Sequence, residues 1–170
     1  TAVTNCTLFF NDSTAYSNTT LNQTGDNSFI VTKTDGEYLW RVECVDEANN
    51  TNSSEERVLI IDTIPPTDVA LLSPANNTFT NNNTPTLAWS QTIEPHFKNY
   101  TVIVSDNETF PYANMTYGTF DIASTVYYVI TAWMDGTWYW KIIAYDLAGN
   151  SADPFFIYTI DSTSPTEFSL

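Results

Sequence analysis

Apolar residues recur at every second position along short segments of this chain. In the segment 36–46, Tyr38, Trp40, Val42 and Cys44 would lie on one side of an extended backbone. A strand with one buried face gives this period of two, whereas a helix repeats every 3.6 residues. Similar runs, rich in β-branched and aromatic residues, predict further strands at 69–73, 86–90, 100–105, 120–130, 138–145 and 155–160.

Clusters of Asn, Asp, Gly and Pro separate these runs and supply turns. The spacing corresponds to about seven strands per hundred residues, which is typical of two-sheet sandwiches. Each apolar sheet face needs a second sheet to cover it. The pattern therefore predicts an all-β fold of antiparallel β-sandwiches.

The chain repeats itself after about one small domain length. The segment 35–50, DGEYLWRVECVDEANN, returns at 135–150 as DGTWYWKIIAYDLAGN. The segment 61–67 is echoed at 160–166, and the pattern of Pro66–Leu71 restarts at Pro165–Leu170. The sequence thus predicts more than one copy of the same module.

These echoes also predict the module boundaries. Residues 8–12 align with residues 102–106, so the module 1–62 lacks a counterpart to roughly the first thirty residues of the next one. Residues 63–161 form a complete module, and residues 162–170 begin a third or act as a donor strand. We place the first boundary at Asp62–Pro66 because consecutive prolines cannot donate to a sheet ladder.

Five motifs carry a family resemblance. They read DTIPP at 62–66, LSPANN at 72–77, PTLAW at 85–89, DGTWYW at 135–140 and DLAGN at 146–150. This set resembles the tandem immunoglobulin-like or fibronectin-type-III-like modules of prokaryotic, particularly archaeal, cell-surface proteins. Such modules occur in surface-layer proteins, adhesins, extracellular filaments and as spacers in secreted hydrolases. The resemblance implies a cell-surface location and no catalytic residues, so we expect a chain that is not an enzyme.

Charge and hydropathy exclude some classes of partner for this chain. Twenty acidic residues against five basic ones give a formal charge of −15, which would repel a phosphate backbone, so we expect no nucleic-acid partner. The longest apolar stretch, around 126–134, is far shorter than the roughly 20 residues of a membrane helix. We therefore expect no membrane span. The low Lys content with abundant Asn and Thr argues against an ordinary cytosol, and together with the family resemblance it predicts an extracellular location.

Cys6 and Cys44 are the only cysteines. Both belong to predicted inward faces of strands that would be neighbours in a sandwich, which favours a disulfide between them. The second module has Ala144 in place of Cys44 and Tyr100 roughly in place of Cys6, so a large and a small side chain would fill the same volume. Two buried thiols are the alternative.

The Asn-x-Ser/Thr sequon is frequent, as the abundance of Asn, Ser and Thr alone would allow. One interpretation is that these residues only form turns and loops. In an extracellular chain, however, such sites accept N-linked glycans. The predicted acceptors are Asn5, Asn11, Asn18, Asn22, Asn49, Asn52, Asn76, Asn82, Asn99, Asn107 and Asn114.

The positions of the carboxylates indicate structural roles in turns and not catalytic ones. Asp46 and Asp146 open equivalent turns, in which an Asp side chain caps its own backbone. We predict no metal site and no cofactor as the main expectation. Calcium at a module junction, bound by Asp62, Asp68 or Asp161, is the alternative, since oxygen ligands suit it. A single histidine, His96, precludes a multi-histidine zinc site within the chain.

The strand 138–145 is apolar on both faces. Its outward face carries Tyr139, Ile143 and Tyr145, and an apolar outer face either binds a partner or is covered by another module. We predict a subunit contact at these three residues. An ordinary partly exposed aromatic ladder and a sugar-stacking platform are the alternatives.

The function predicted from these features is structural. We expect a module of a surface layer or filament that associates with identical protomers or neighbouring modules. The open sheet of the first module would accept a strand in trans, for which Pro165–Leu170 is the candidate. Completion in cis by a longer chain is the alternative, as is an adhesion, carbohydrate-binding or spacer module of a larger secreted protein.

Overall fold

The computed structural model describes residues 2–165, and these residues form strands, turns and loops without a helix. The all-β fold predicted from the sequence is thereby confirmed. The chain divides into two compact units between Thr63 and Ile64. In residues 2–165 no helix has the length and apolar character that a membrane crossing requires.

In the first unit, residues 2–63 form five strands in one antiparallel sheet. The strand order is β2-β1-β3-β4, and β5 also pairs with β3. Along β1, Cys6, Leu8 and Phe10 are buried on one face, as the period of two predicts. The strand bounds are β1 Val3–Phe10, β2 Ala15–Asn18, β3 Gly36–Asp46, β4 Thr51–Ser53 and β5 Arg57–Ile61.

In the second unit, residues 64–165 form nine strands in two sheets. One sheet has the order β10-β9-β12-β14-β7, with β13 on β12, and the other has the order β11-β8-β6. All pairings are antiparallel except β7 on β14. The bounds are β6 Leu71–Ser73, β7 Thr78–Thr80, β8 Thr86–Trp89, β9 Phe97–Ser105, β10 Met115–Thr119, β11 Val126–Tyr128, β12 Gly136–Asp146, β13 Ser151–Ala152 and β14 Phe155–Ile160.

The two sheets of the second unit enclose an apolar core. Side chains from both sheets reach zero or nearly zero exposure, which stabilises a fold by about 1.5–3 kcal/mol for each large apolar side chain. The core residues are Val69, Leu71, Leu87, Trp89, Tyr100, Val102, Val104, Val129, Trp140, Ile142, Ala144, Tyr158 and Ile160.

One predicted strand is wrong. The run 120–130 contains only the short strand β11, and a strand that we did not predict, β10, precedes it. The reason lies at Asp121, whose Oδ1 accepts a hydrogen bond from the Ala123 amide while its carbonyl accepts one from Ser124. An Asx turn of this kind competes with strand pairing.

Equivalent aspartates hold the segment that follows the last strand of each unit. Asp35 accepts hydrogen bonds from the backbone amide and the hydroxyl of Thr63. Asp135 accepts from the amide of Ser162 at 3.1 Å, and from the hydroxyls of Ser162 and Thr163. The Ser162 and Thr163 hydroxyls lower the pKa of the Asp135 carboxyl. Each unit thus fixes its own exit segment with a side chain that lies just before its longest strand.

Candidate interaction sites

The apolar face of the first sheet opens onto a groove. We call this the apolar groove; its volume is about 500 Å³. Among residues 2–63, no second sheet lies over it. The lining comes from three strands and one loop: Cys6, Leu8, Phe10, Asn27, Phe29, Val31, Trp40, Val42, Cys44 and Leu59.

A single loop segment partly covers the apolar groove. Within residues 28–33, Phe29, Val31 and Lys33 are half-buried, whereas the residues between them are exposed, Ile30 at 97%. This alternation places Phe29 and Val31 against the sheet, although the segment pairs with no strand. One unpaired segment gives less cover than the three-stranded sheet that closes the second unit.

Lys33 binds the end of the segment 28–33 to the turn after β1. Its Nζ lies 2.7 Å from Asp12 Oδ2 and also donates to the Thr14 hydroxyl. The ammonium group lies 4.1 Å from the centre of the Phe10 ring and 4.9 Å from that of Tyr38, which adds cation–π attraction. The hydrogen bond that Lys33 donates to Asp12, followed by those from Thr14, lowers the pKa of the Asp12 carboxyl to about 2.

The second unit has a cavity of about 390 Å³, which we call the aromatic cavity. Three of its lining residues carry aromatic rings, and the Trp133 and Trp138 rings form a tilted contact with centroids 4.9 Å apart. Two polar residues, Asn114 and Thr131, face it as well. The full lining is Val104, Asn114, Met115, Tyr127, Ile130, Thr131, Trp133 and Trp138.

The aromatic cavity and the Lys33 site occupy equivalent places in the repeat. Phe10 pairs with Trp40 across the sheet, and Val104 pairs with Trp140 in the same way. With the sequence offset of 100, Lys33 corresponds to Trp133. The first unit fills this place with an ammonium group and a bulky Phe10, whereas the second unit leaves it open.

The predicted contact residues Tyr139, Ile143 and Tyr145 lie on the outer face of β12. All three are half-buried, while their neighbours Trp140 and Ile142 point into the core. Tyr139 pairs across the sheet with Ile157, and Tyr145 pairs with the sequon residue Asn99. A partner at this face stays a prediction.

The two cysteines lie directly opposite each other. Cys6 pairs with Cys44 in the register of β1 and β3, and their sulfur atoms form a disulfide of 1.98 Å. In the second unit, Tyr100 pairs with Ala144 at the equivalent point of β9 and β12. Tyr100 is fully buried there, so a large and a small side chain stand where the first unit has its bridge.

Eight of the eleven sequon asparagines are exposed, and the other three, Asn5, Asn18 and Asn99, are half-buried. On β1 and β9, the Nδ2 atoms of Asn5 and Asn99 donate to the threonine hydroxyls of their own sequons. Asn114 differs, because its Oδ1 accepts from the Asp106 amide and its Nδ2 makes no hydrogen bond to residues 2–165. Glycan attachment at these positions and calcium at Asp62, Asp68 and Asp161 stay predictions.

Sequence reasoning missed the Lys33 site and the aromatic cavity. The signal was present in the repeat, since the first copy has a basic residue, Lys33, at the position where the second copy has Trp133. The partners Asp12 and Asn114 lie in loops that the repeat aligns poorly. Only the folded chain brings Asp12 to Lys33 in the first unit and places Asn114 in the lining of the Trp133 cavity in the second.

No protein-family model matches the chain, and no curated protein matches it significantly. Among solved structures, it is similar over its full length to the fibronectin(III)-like modules of CbhA from Clostridium thermocellum. That match covers 85% of the other chain, with a TM-score of 0.57 and 15% identity.

Two other solved structures align with lower TM-scores. A tetra-tandem repeat in the extending region of a large adhesion protein matches 96% of this chain and 43% of its own, with 16% identity and a TM-score of 0.45. The FN1–FN3 domains of chicken CNTN1 match 89% of this chain and 56% of their own, with 11% identity and a TM-score of 0.42. The similarity to the CbhA modules shows the fold, and the chain has an all-β, fibronectin-III-like architecture.

Proposed function

We propose that this chain is a non-enzymatic structural module of an extracellular surface assembly, a surface layer or a filament. In this proposal the apolar groove of the first unit accepts a strand from another module or protomer. The observation that carries it is the groove itself, about 500 Å³ of largely apolar lining without a covering sheet from residues 2–63. Apolar surface of this extent favours association.

The second unit supports the kind of strand that the groove would accept. There, Val69 and Leu71 are buried against the sheet that contains β9 and β12. The motif that carries them, Pro66–Leu71, restarts at Pro165–Leu170, so Phe168 and Leu170 are their repeat counterparts. Apart from Pro165, this donor segment lies outside the described residues. Its sequence, with apolar residues two positions apart, fits a strand that buries one face.

The test combines light scattering, negative-stain microscopy and a peptide titration on the full chain. We expect Leu59→Asp, on the groove face of β5, to abolish self-association, because it puts an unpaired charge into the apolar contact. Val58→Asp, one residue earlier and 56% exposed, is the matched control and keeps association. A peptide of residues 162–170 should compete, and its Phe168→Asp version should not.

Equal association of the two Asp variants would show that the groove is not the contact. A chain that stays monomeric at high concentration, with a peptide that does not bind, would contradict strand exchange in trans. Polymers that the 162–170 peptide does not inhibit would exclude this donor segment.

A second candidate function is carbohydrate binding within an adhesive protein. It is favoured by the outer face of β12 and β14, where Tyr139 and Ile157 lie next to Phe155, which is 47% exposed. Aromatic rings of this kind stack on sugars through their faces. Binding on a glycan array that Tyr139→Ala removes would support this function, and absence of binding would leave the structural role.

A further inference from the structure

We propose that the aromatic cavity of the second unit binds the first sugar of an N-linked glycan attached to Asn114. The cavity would then hold part of the chain's own modification and not a free ligand. This inference rests on the extracellular setting in the proposed function. It does not depend on self-association, so the two can fail separately.

Asn114 lies where it could tether a sugar at the aromatic cavity. Asn114 lines the cavity and belongs to the sequon Asn-Met-Thr at 114–116. Its Oδ1 accepts a hydrogen bond of 3.0 Å from the Asp106 amide, which fixes the plane of the side-chain amide. Its Nδ2, the atom that carries a glycan, makes no hydrogen bond to the described residues. A sugar on Nδ2 therefore starts from an oriented anchor at the rim.

The size and the lining of the aromatic cavity suit a sugar ring. The volume of 390 Å³ lies within the range of about 300–1,000 Å³ typical of small-molecule sites. The Trp133 and Trp138 rings are in contact, with their planes tilted by 33°, and Tyr127 lies in the same lining. Aromatic faces carry negative charge density, which attracts the C–H bonds on one face of a sugar ring. Thr131 and Asn114 add polar groups for its hydroxyls.

The two units differ at the place of the aromatic cavity. The first unit closes the equivalent place from within, since Lys33 inserts its ammonium group beside Phe10 and Tyr38. The second unit has Trp133 instead, and this ring leaves the cavity unfilled. The tethered sugar supplies the filling that Lys33 supplies in the first unit.

The attachment is an ordinary group transfer. The Asn114 amide nitrogen attacks C1 of a sugar that is linked to a lipid phosphate. The N–C1 bond forms as the C1–O bond to phosphate breaks, and the lipid phosphate leaves with the electron pair. The amide proton is lost to a base of the transferring enzyme. No residue of this chain needs to act in the reaction.

The experiment uses the full chain secreted from yeast, with its glycans trimmed to a single N-acetylglucosamine. Peptide mass spectrometry measures the occupancy of Asn114, and the Tm of the second unit is followed by tryptophan fluorescence, since four of the five tryptophans lie there. Thr116→Ala removes the sequon but keeps Asn114 and its bond to Asp106. We expect the glycosylated chain to melt about 4 °C above Thr116→Ala, as a contact of this kind shifts a domain of this size.

Three controls isolate the sugar–ring contact. The same pair made in bacteria, without glycans, gives the effect of the substitution alone. Thr84→Ala removes the Asn82 sequon, which lies outside the cavity, and should leave the Tm unchanged. In a Trp133→Leu background the difference between glycosylated and Thr116→Ala chains should vanish. Tyr127→Leu replaces Trp133→Leu if that variant does not fold.

A second readout is direct. We expect nuclear Overhauser contacts between the N-acetylglucosamine protons and the Trp133 indole, together with upfield shifts of those sugar protons. An unmodified Asn114, a Tm difference that persists in the ring variant, or sugar protons at the shifts of a free glycan would each overturn the proposal.

Discussion

Lys33 and Asp12 form an ion pair with 2.7 Å between Nζ and Oδ2, in which the lysine side chain is only 6% exposed. A buried ammonium group needs a close counter-charge because it has lost most of its water. The pair joins the segment that partly covers the apolar groove to the turn after β1. Access to the groove is thereby connected to a single charged contact.

The first prediction concerns the pKa of Asp12. In the native chain it is about 2, against an ordinary value of 3.8, because Lys33 and Thr14 bond the charged form. We expect Lys33→Met to raise this pKa toward 3.8, measured by NMR titration of the Asp12 carboxyl carbon. An unchanged pKa in this variant would show that Thr14 alone causes the shift.

The same shift predicts a pH dependence of the first unit. Since the folded pKa lies below the unfolded one, the pair stabilises fully above about pH 4, and this contribution is lost as the pH falls through about 2. Hydrogen exchange of residues 28–33 should speed up over that range. In Asp12→Asn, exchange at neutral pH should already be fast, and acid should add little.

Two buried tyrosines of the second unit provide a matched pair. The Tyr100 hydroxyl accepts a hydrogen bond of 2.8 Å from the Thr92 amide, whereas the Tyr158 hydroxyl has no partner among the described residues. Burial raises the pKa of both phenols. We expect Tyr100→Phe to lower the free energy of unfolding by about 1–3 kcal/mol, because it leaves the Thr92 amide unsatisfied.

For Tyr158→Phe, the expected change in the free energy of unfolding is close to zero or slightly stabilising, since no bond is lost. Urea denaturation of both variants checks the pair. Equal losses in the two variants would contradict this difference between the two hydroxyls.

The Asp146 turn predicts a large loss. This carboxylate is fully buried and accepts hydrogen bonds from the amides of Gly149 and Asn150 and from the Asn150 side chain. Asp146→Ala would leave these donors unpaired and should cost about 3 kcal/mol in the free energy of unfolding. Asp46→Ala, in the more exposed equivalent turn, should cost less; the reverse order in urea denaturation would contradict the role of burial.

The disulfide should stabilise the first unit alone. It closes a loop with a sequence separation of 38, which corresponds to about 4 kcal/mol on the chain-entropy model. We expect Cys6→Ala with Cys44→Ala to accelerate amide exchange throughout β1 and β3, while β9 and β12 keep their protection. Equal loss of protection in both units would show that they unfold together.

Much of the architecture could be predicted from the residues. Alternation along 36–46 predicted a strand with one buried face. The inward faces favoured a Cys6–Cys44 disulfide, and the repeat put Tyr100 and Ala144 at roughly the corresponding positions. These features depend on local geometry and on the register that one buried face imposes. The run 120–130 failed because the Asp121 side chain binds nearby backbone amides, a competition that periodicity does not report.

The sequence by itself determined the all-β class, the repeat, the acidic surface and the sequons, because periods, spacings and composition are properties of the chain. Only the tertiary structure decided that Lys33 meets Asp12 beside the Phe10 and Tyr38 rings, that Asn114 lines the Trp133 cavity, and that the Tyr158 hydroxyl, unlike that of Tyr100, has no hydrogen-bond partner among residues 2–165. Each of these depends on atoms from separate loops and strands meeting within a few ångströms, and packing of the whole unit sets those distances.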